Sequence, residues 1–285
     1  MNRHLHHHYT AIGHVTIDVL ADGSRRPGGG ALYSALQAAR LGLRTLLITR
    51  GTARELDELL APYRHELDVQ VHDAPHTTTL LTAGHGAERT QRMLAWAGAI
   101  VAEPALDTTI LHLAPVARET PERWRGSPAF LGLTPQGLAR DWSGEGAEIV
   151  QVAPARAAEE LARRCRAVVL NESERASCAG LIAAAGEGGA LVAVTAGARP
   201  TVVLEPGGRE LELDVPALED AVDDIGAGDV FAAAWFVALH EGRPAVEATA
   251  FATAAAAVRL QGAGAGAIGA RAEIEARLRL VAPRR

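Results

Sequence analysis

Lysine is absent from all 285 residues, so the 28 residues counted as Lys plus Arg are all arginines, and the other basic side chains are 11 histidines. That absence excludes several chemistries. A Walker A loop needs Lys to reach its phosphates, a protein kinase needs its strand Lys, and pyridoxal phosphate needs a Lys Schiff base. Cysteine is nearly as scarce. Cys165 and Cys178 are too few for a disulfide scaffold, and they fit a reducing, cytoplasmic setting. No run approaches the roughly 18–20 apolar residues of a membrane span, and no secretory pattern opens the chain. A net charge of -6 without a basic stripe gives no footprint for nucleic acid. The short arginine pairs at 25–26 and 284–285 read as solvated ends.

What is present can bury a large core, since 48% of residues are hydrophobic and only 22% are charged. The opening "MNRHLHHHY" contains His4, His6, His7 and His8 with no Cys or carboxylate to complete a metal set. It is expected to be a polar tail over residues 1–8, with 9–285 as a single domain. Strand-like runs then alternate with helical patterns. Strands are predicted over 9–20, 44–50, 78–83, 109–116, 129–134, 148–152, 167–171 and 190–197, and a hairpin over 200–215 turning at Pro206, Gly207 and Gly208. Helices are predicted over 31–42, 54–63, 156–165, 172–185, 229–241, 245–260 and 271–280. The alternation implies an α/β fold, a mostly parallel central sheet with helices on both faces.

The stretch "DDIGAGDVFAAAW" (223–235) carries the strongest chemical signal. A helix starting near Gly228 presents unpaired N–H groups with a partial charge of about +0.5. Gly226, Ala227 and Gly228 let those groups approach an anion closely, and Asp229 on the same turn is placed to take a proton from an attacking hydroxyl. The bland alternative is a glycine turn followed by an acid that favours the helix dipole.

This stretch resembles the C-terminal signature of the ribokinase-like (PfkB) family of carbohydrate kinases, D-T-x-G-A-G-D-x-F. Other segments resemble the family in order: "IGHVTIDVL" with Asp18, "GGGALYSALQAARLG" (28–42), "LNESE" (170–174), "VTAG" (194–197) and "FATAAAAVRLQGAG" (251–264). The resemblance implies an ATP-dependent, Mg²⁺-requiring kinase acting on a hydroxyl of a small sugar or polyol. Asp229 would be the general base and the 226–228 amides the anion hole. Asp18, Gly29 and Gly30 would bind the acceptor, with Tyr33 as a pocket wall. Asn171, Thr195, Gly197, Arg140, Thr253 and Gly264 would lie on the nucleotide side, and Glu174 would serve the metal. Asp223 is a candidate for support of this site or for a monovalent cation.

The residue types allow those roles and also plainer ones. Glu174 could order water around Mg²⁺ or sit on a surface turn. Asp18 inside an apolar strand needs a partner, which a substrate diol or a salt bridge would supply. Thr195 and Gly197 suit a strand end as well as a nucleotide.

The chain also departs from the family pattern. Tyr33 stands where Asn is usual, Gly30 where Asn or Lys is frequent, Asp224 and Ile225 inside the signature, and Pro200 at a usual glycine. Only "ADGSRRP" separates the first strand from the glycines, which predicts a short or absent β-lid and speaks against a lid-mediated dimer. Lid-poor relatives add cyclitols to the acceptor candidates. The rival readings are a nucleoside kinase of the same fold and a non-catalytic ligand-binding or regulatory relative. "GAGAIG" (264–269) matches a dinucleotide fingerprint by letter, but it follows a helix near the C-terminus instead of a first strand.

Overall fold

Runs rich in Val, Leu and Ile form strands that are covered on both faces, so they show little polar alternation. The computed structural model describes residues 6–84, 89–101, 103–218 and 221–281. The chain begins β1 (His7–Ile12), β2 (Thr16–Leu20), β3 (Arg25–Gly28), α1 (Gly30–Arg40), β4 (Thr45–Gly51), α2 (Ala53–Leu60), β5 (Asp68–Asp73), β6 (Thr79–Ala83) and β7 (Thr90–Ala95). The middle contains β8 (Thr108–Leu113), β9 (Phe130–Leu133), β10 (Arg140–Asp141), β11 (Val150–Gln151), α3 (Arg156–Ala162), β12 (Ala167–Asn171), α4 (Glu172–Arg175), α5 (Ala179–Glu187) and β13 (Leu191–Ala196). It ends with β14 (Arg199–Leu204), β15 (Glu210–Leu213), α6 (Ala227–His240), α7 (Ala245–Leu260) and α8 (Arg271–Val281).

The main sheet is nine-stranded, in the order β15-β14-β13-β12-β9-β8-β1-β4-β5. From β13 to β5 every neighbour is parallel, and the β14–β15 hairpin adds an antiparallel edge. Helices α1, α2, α6, α7 and α8 pack on one face, while α3 and α5 cover the other. Every residue of α6 from Val230 to Ala238 is buried, because the helix lies between the sheet, α1 and α7. Small side chains make that possible. At Gly132 of β9, a Cβ would come within 2.4 Å of the Phe236 ring. Among the described residues no helix is long and apolar enough to cross a membrane.

The structure corrects three expectations. The run 9–20 is two strands in different sheets, broken at Gly13, where a Cβ would stand 2.2 Å from the Ala114 carbonyl oxygen. A second sheet of four short strands has the order β3-β2-β6-β7, with β2 and β3 drawn from 16–28 and β6 and β7 from 79–95. The polar tail does not extend to residue 8, since His7 and His8 belong to β1 and His6 pairs with Asp107 and Thr109; residues 1–5 lie outside the described residues. The run 148–152 pairs only over Val150–Gln151. Strands β5 and β7 carry no apolar run, because half-exposed edge positions accept polar residues such as Gln70 and Arg92.

Candidate active site

Winding of the main sheet reverses between β1 and β8, with β4 and β5 to one side and β9, β12 and β13 to the other. Ligands of open α/β sheets bind outside the carboxyl ends of the strands at such a switch point. Gly30, at the start of α1, reaches it. A Cβ on Gly30 would lie 2.6 Å from Asp229 Oδ1 and 3.6 Å from the Cβ of Ala114, just past β8. Only glycine lets the α1 backbone come this near to the carboxylate of α6.

Gly226 caps α6 in the left-handed region, at φ 81°. Among the described residues nothing accepts from the N–H of Gly226 or Gly228, and Ala227 makes one long 3.3 Å bond to the Asp224 carbonyl. Gly228 is exposed with open space where a Cβ would be, whereas a Cβ on Gly226 would sit 2.4 Å from the Tyr33 ring. The first turn of α6 therefore has donors free for an anion on its open side and is packed tightly beneath.

Asp229 is partly accessible. Its surroundings push its carboxyl up to about 7, first through desolvation and then through the nearby Glu174 charge, while Arg140 and Arg89 pull the other way. Glu174 is buried, and its Oε2 accepts from the Asn171 amide at 3.0 Å in a capping box at α4. Burial raises its carboxyl too, opposed by that amide and by Arg140. Arg140 is half-buried, donating to the Val116 carbonyl and the Gln91 amide oxygen. Its electrostatic partners are Glu174, Asp229, Glu119 and Asp18, which places it centrally among the carboxylates.

Asp18, expected to bind an acceptor, is buried in β2, accepts from the Thr16 hydroxyl at 2.7 Å and lies directly against Gly28. Burial raises its carboxyl, moderated by Thr16, Arg26, Arg140 and Arg89. Gly29 takes φ 96° and presses on the His14 carbonyl, so the glycine run is pinned and not loose. Tyr33 departs from expectation. It is fully buried beneath Gly226 and cannot line an accessible acceptor pocket.

Of the two readings of Asp223, its contacts speak against the monovalent cation. Its carboxylate accepts from Arg26 of the small sheet at 2.9 and 3.1 Å, from Arg259 of α7 at 2.9 Å and from the amides of Gly264 and Ile225. Burial alone would raise its carboxyl, but these donors hold it well below the usual carboxylate range. Two guanidinium groups occupy the place where a monovalent cation was a candidate, so the residues present do not fit one there.

Comparison with known proteins agrees with this geometry. Residues 147–271 match the pfkB family carbohydrate kinase. A pyrophosphate-dependent kinase in the ribokinase family, solved with a pyrophosphate analog and myo-inositol, superposes with a TM-score of 0.74 at 22% identity, over 94% of this chain and 99% of that one. Arabidopsis thaliana ribokinase, complexed with ribose and ATP, gives 0.71 at 18% identity over 96% and 99%. The Methanocaldococcus jannaschii nucleoside kinase gives 0.71 at 15% identity over 95% and 98%. No curated protein sequence matches the chain. The chain has the fold of these kinases, and one segment of it carries the pfkB match.

The residues expected on the nucleotide side begin at the carboxyl ends of β12 and β13. Asn171 and Thr195 are register partners there, and Gly197 follows in an exposed turn at φ 65°. Gly264 spends its amide on Asp223, and Thr253 is half-buried in α7 with no hydrogen bond to Thr195 or Gly197. Among the described residues no group of three or more His, Cys, Asp or Glu could hold a metal. Mg²⁺ keeps several waters and leans on phosphates, so one or two carboxylates suffice. Glu174 fits that role through water, since the capping amide already occupies one of its oxygens. A separate cleft of about 490 Å³ beside Thr52, Arg54 and His76 contains none of these residues.

Sequence reasoning missed three arginines around the candidate site, and placed Arg26 at a solvated end. Arg26 reaches Asp223, Arg89 reaches Asp224, and Arg259 reaches Asp223 from a fully buried position. The available signal was one charged residue inside the small-residue run "FATAAAAVRL".

Proposed function

We propose that the chain transfers the terminal phosphoryl group of Mg-ATP to a hydroxyl of a small sugar, polyol or cyclitol. The observation that carries this reading is the approach of Gly30 to Asp229 Oδ1 under the free amides of Gly226 and Gly228. It brings acceptor backbone, proton-accepting carboxylate and anion donors to one point. Phosphoryl transfer needs little more than positioning and charge stabilisation.

In this reading Asp18 and Gly30 hold the acceptor, and one of its hydroxyls faces Asp229. With a pKa of about 7, Asp229 is deprotonated in a large fraction of molecules at neutral pH and remains basic enough to take the hydroxyl proton as the new O–P bond forms. The amides of the 226–228 turn, with Arg140 opposite, stabilise negative charge on the phosphoryl oxygens. Asn171, Glu174 and Thr195 face the donor, and Mg²⁺ would neutralise its phosphates when bound.

The test is product formation from an acceptor panel of pentoses, hexoses, myo-inositol, sugar acids and nucleosides. ATP and pyrophosphate serve as alternative donors, with Asp229→Asn alongside. The reading stands if a sugar or cyclitol turns over with ATP and the variant is inactive. Turnover confined to nucleosides would make it a nucleoside kinase, and turnover with pyrophosphate alone would replace ATP as the donor. Ligand binding without turnover would mark a non-catalytic relative.

A further inference from the structure

Arg259 projects from the last turns of α7 into the loop that precedes α6, and it is fully buried. Its terminal nitrogens meet four oxygens. Nη1 donates to the carbonyls of Gly262 at 2.8 Å and Asp223 at 3.3 Å, and Nη2 donates to the Ile225 carbonyl at 2.6 Å and to Asp223 Oδ2 at 2.9 Å. Three carbonyls and one carboxylate converging on a point form an all-oxygen donor set of the kind that holds a metal cation. Here a side chain fills it, and its guanidinium also lies 5.3 Å from the Tyr33 ring centroid.

The loop geometry connects this group to the proposed anion hole. The Ile225 carbonyl and the Gly226 N–H share one planar trans peptide, so they point in opposite directions. Arg259 holds the carbonyl inward at 2.6 Å, which turns the N–H outward, where nothing among the described residues accepts from it. Tyr33 supports the same peptide from below.

We propose that Arg259 is a positioning residue that serves as the built-in cation of the 223–226 loop, aims the anion-binding amides, and makes the protein independent of a soluble monovalent cation. A soluble cation in that oxygen set would meet the Arg259 guanidinium directly and, at Asp223 Oδ2, that of Arg26 as well. The inference rests on the kinase reading only for its effect on turnover; the occupancy of the oxygen set can be tested without any reaction.

The experiment compares wild type and Arg259→Ala in potassium, sodium and tetramethylammonium salts at equal ionic strength, reading thermal midpoint and, with an active acceptor, kcat and KM. The wild type should show no potassium-specific change in either readout. Arg259→Ala should lose about 10- to 100-fold in kcat, somewhat less than removal of a direct oxyanion donor, with acceptor KM little changed. Potassium or guanidinium ion should restore part of that loss and raise the variant's midpoint. If Arg259→Ala does not fold, Arg259→Lys takes its place, and an ammonium in the oxygen set should keep the fold with an intermediate kcat.

Potassium-specific activation or stabilisation of the wild type would overturn the proposal. So would wild-type kcat in either variant, or a kcat loss in folded Arg259→Ala that no cation relieves. If the wild type turns over no acceptor, the kinase reading fails separately, while a potassium-selective midpoint rise confined to Arg259→Ala still supports the cation assignment and its absence refutes it.

Discussion

Asp229→Asn should inactivate the protein and also stabilise it above neutral pH. The folded environment raises this carboxyl from 3.8 to about 7, led by desolvation and the Glu174 charge. Between those values the native state holds a proton that the unfolded chain has released, so native stability falls as pH rises through that window. The shift is about three units at about 1.4 kcal/mol each, which sets a ceiling of about 4 kcal/mol. Partial exposure of the carboxyl reduces this to roughly 2–3 kcal/mol. Asparagine keeps the shape without the charge. Its gain should therefore be complete at about pH 8, or about 4–6 °C in thermal midpoint for a chain of this size. It should shrink toward zero below about pH 3, where the wild-type carboxyl is protonated in both states. Turnover should meanwhile drop by about 10²- to 10⁴-fold, the usual share of a general base. Thermal or urea unfolding of both proteins across this pH range is the assay. An Asn variant that gains no stability over wild type between pH 4 and pH 8 would falsify the account of the carboxyl.

Glu174→Gln keeps an oxygen for the Asn171 amide but removes a charge that raises Asp229, so the acid limb of kcat/KM should move to lower pH, with stability changed by less than about 1 kcal/mol. Arg89→Ala removes a charge that lowers Asp229 and the contact with Asp224, so the same limb should move to higher pH; an unmoved limb in both variants would show that Asp229 does not set the profile. Gly30→Ala places a methyl 2.6 Å from Asp229 Oδ1, and rapid kinetics should show kcat reduced on the order of 10²-fold with donor affinity retained. At Gly226 a methyl would both strain φ 81° and strike the Tyr33 ring, so Gly226→Ala should cost about 2–4 kcal/mol in urea unfolding as well as turnover.

The sequence alone determined the α/β class and the place of the anion turn. Both depend on local chemistry: apolar periodicity separates strands from helices, and "GAGD" writes a bare helix N-terminus into four consecutive residues. It also supplied Asp229, Asp18, Glu174 and Arg140, which the structure gathers into one electrostatic cluster. The tertiary structure decided what each partner would be. The family resemblance made Tyr33 a pocket wall, yet the start of α6 closes over its ring. Asp223 looked available to a cation until Arg26 and Arg259 arrived from positions 197 and 36 residues away. Strand β7 of the small sheet was not legible because its half-exposed edge carries no apolar run. Backbone propensity is encoded within a few residues, whereas charge pairing and burial depend on which distant segments the fold brings together.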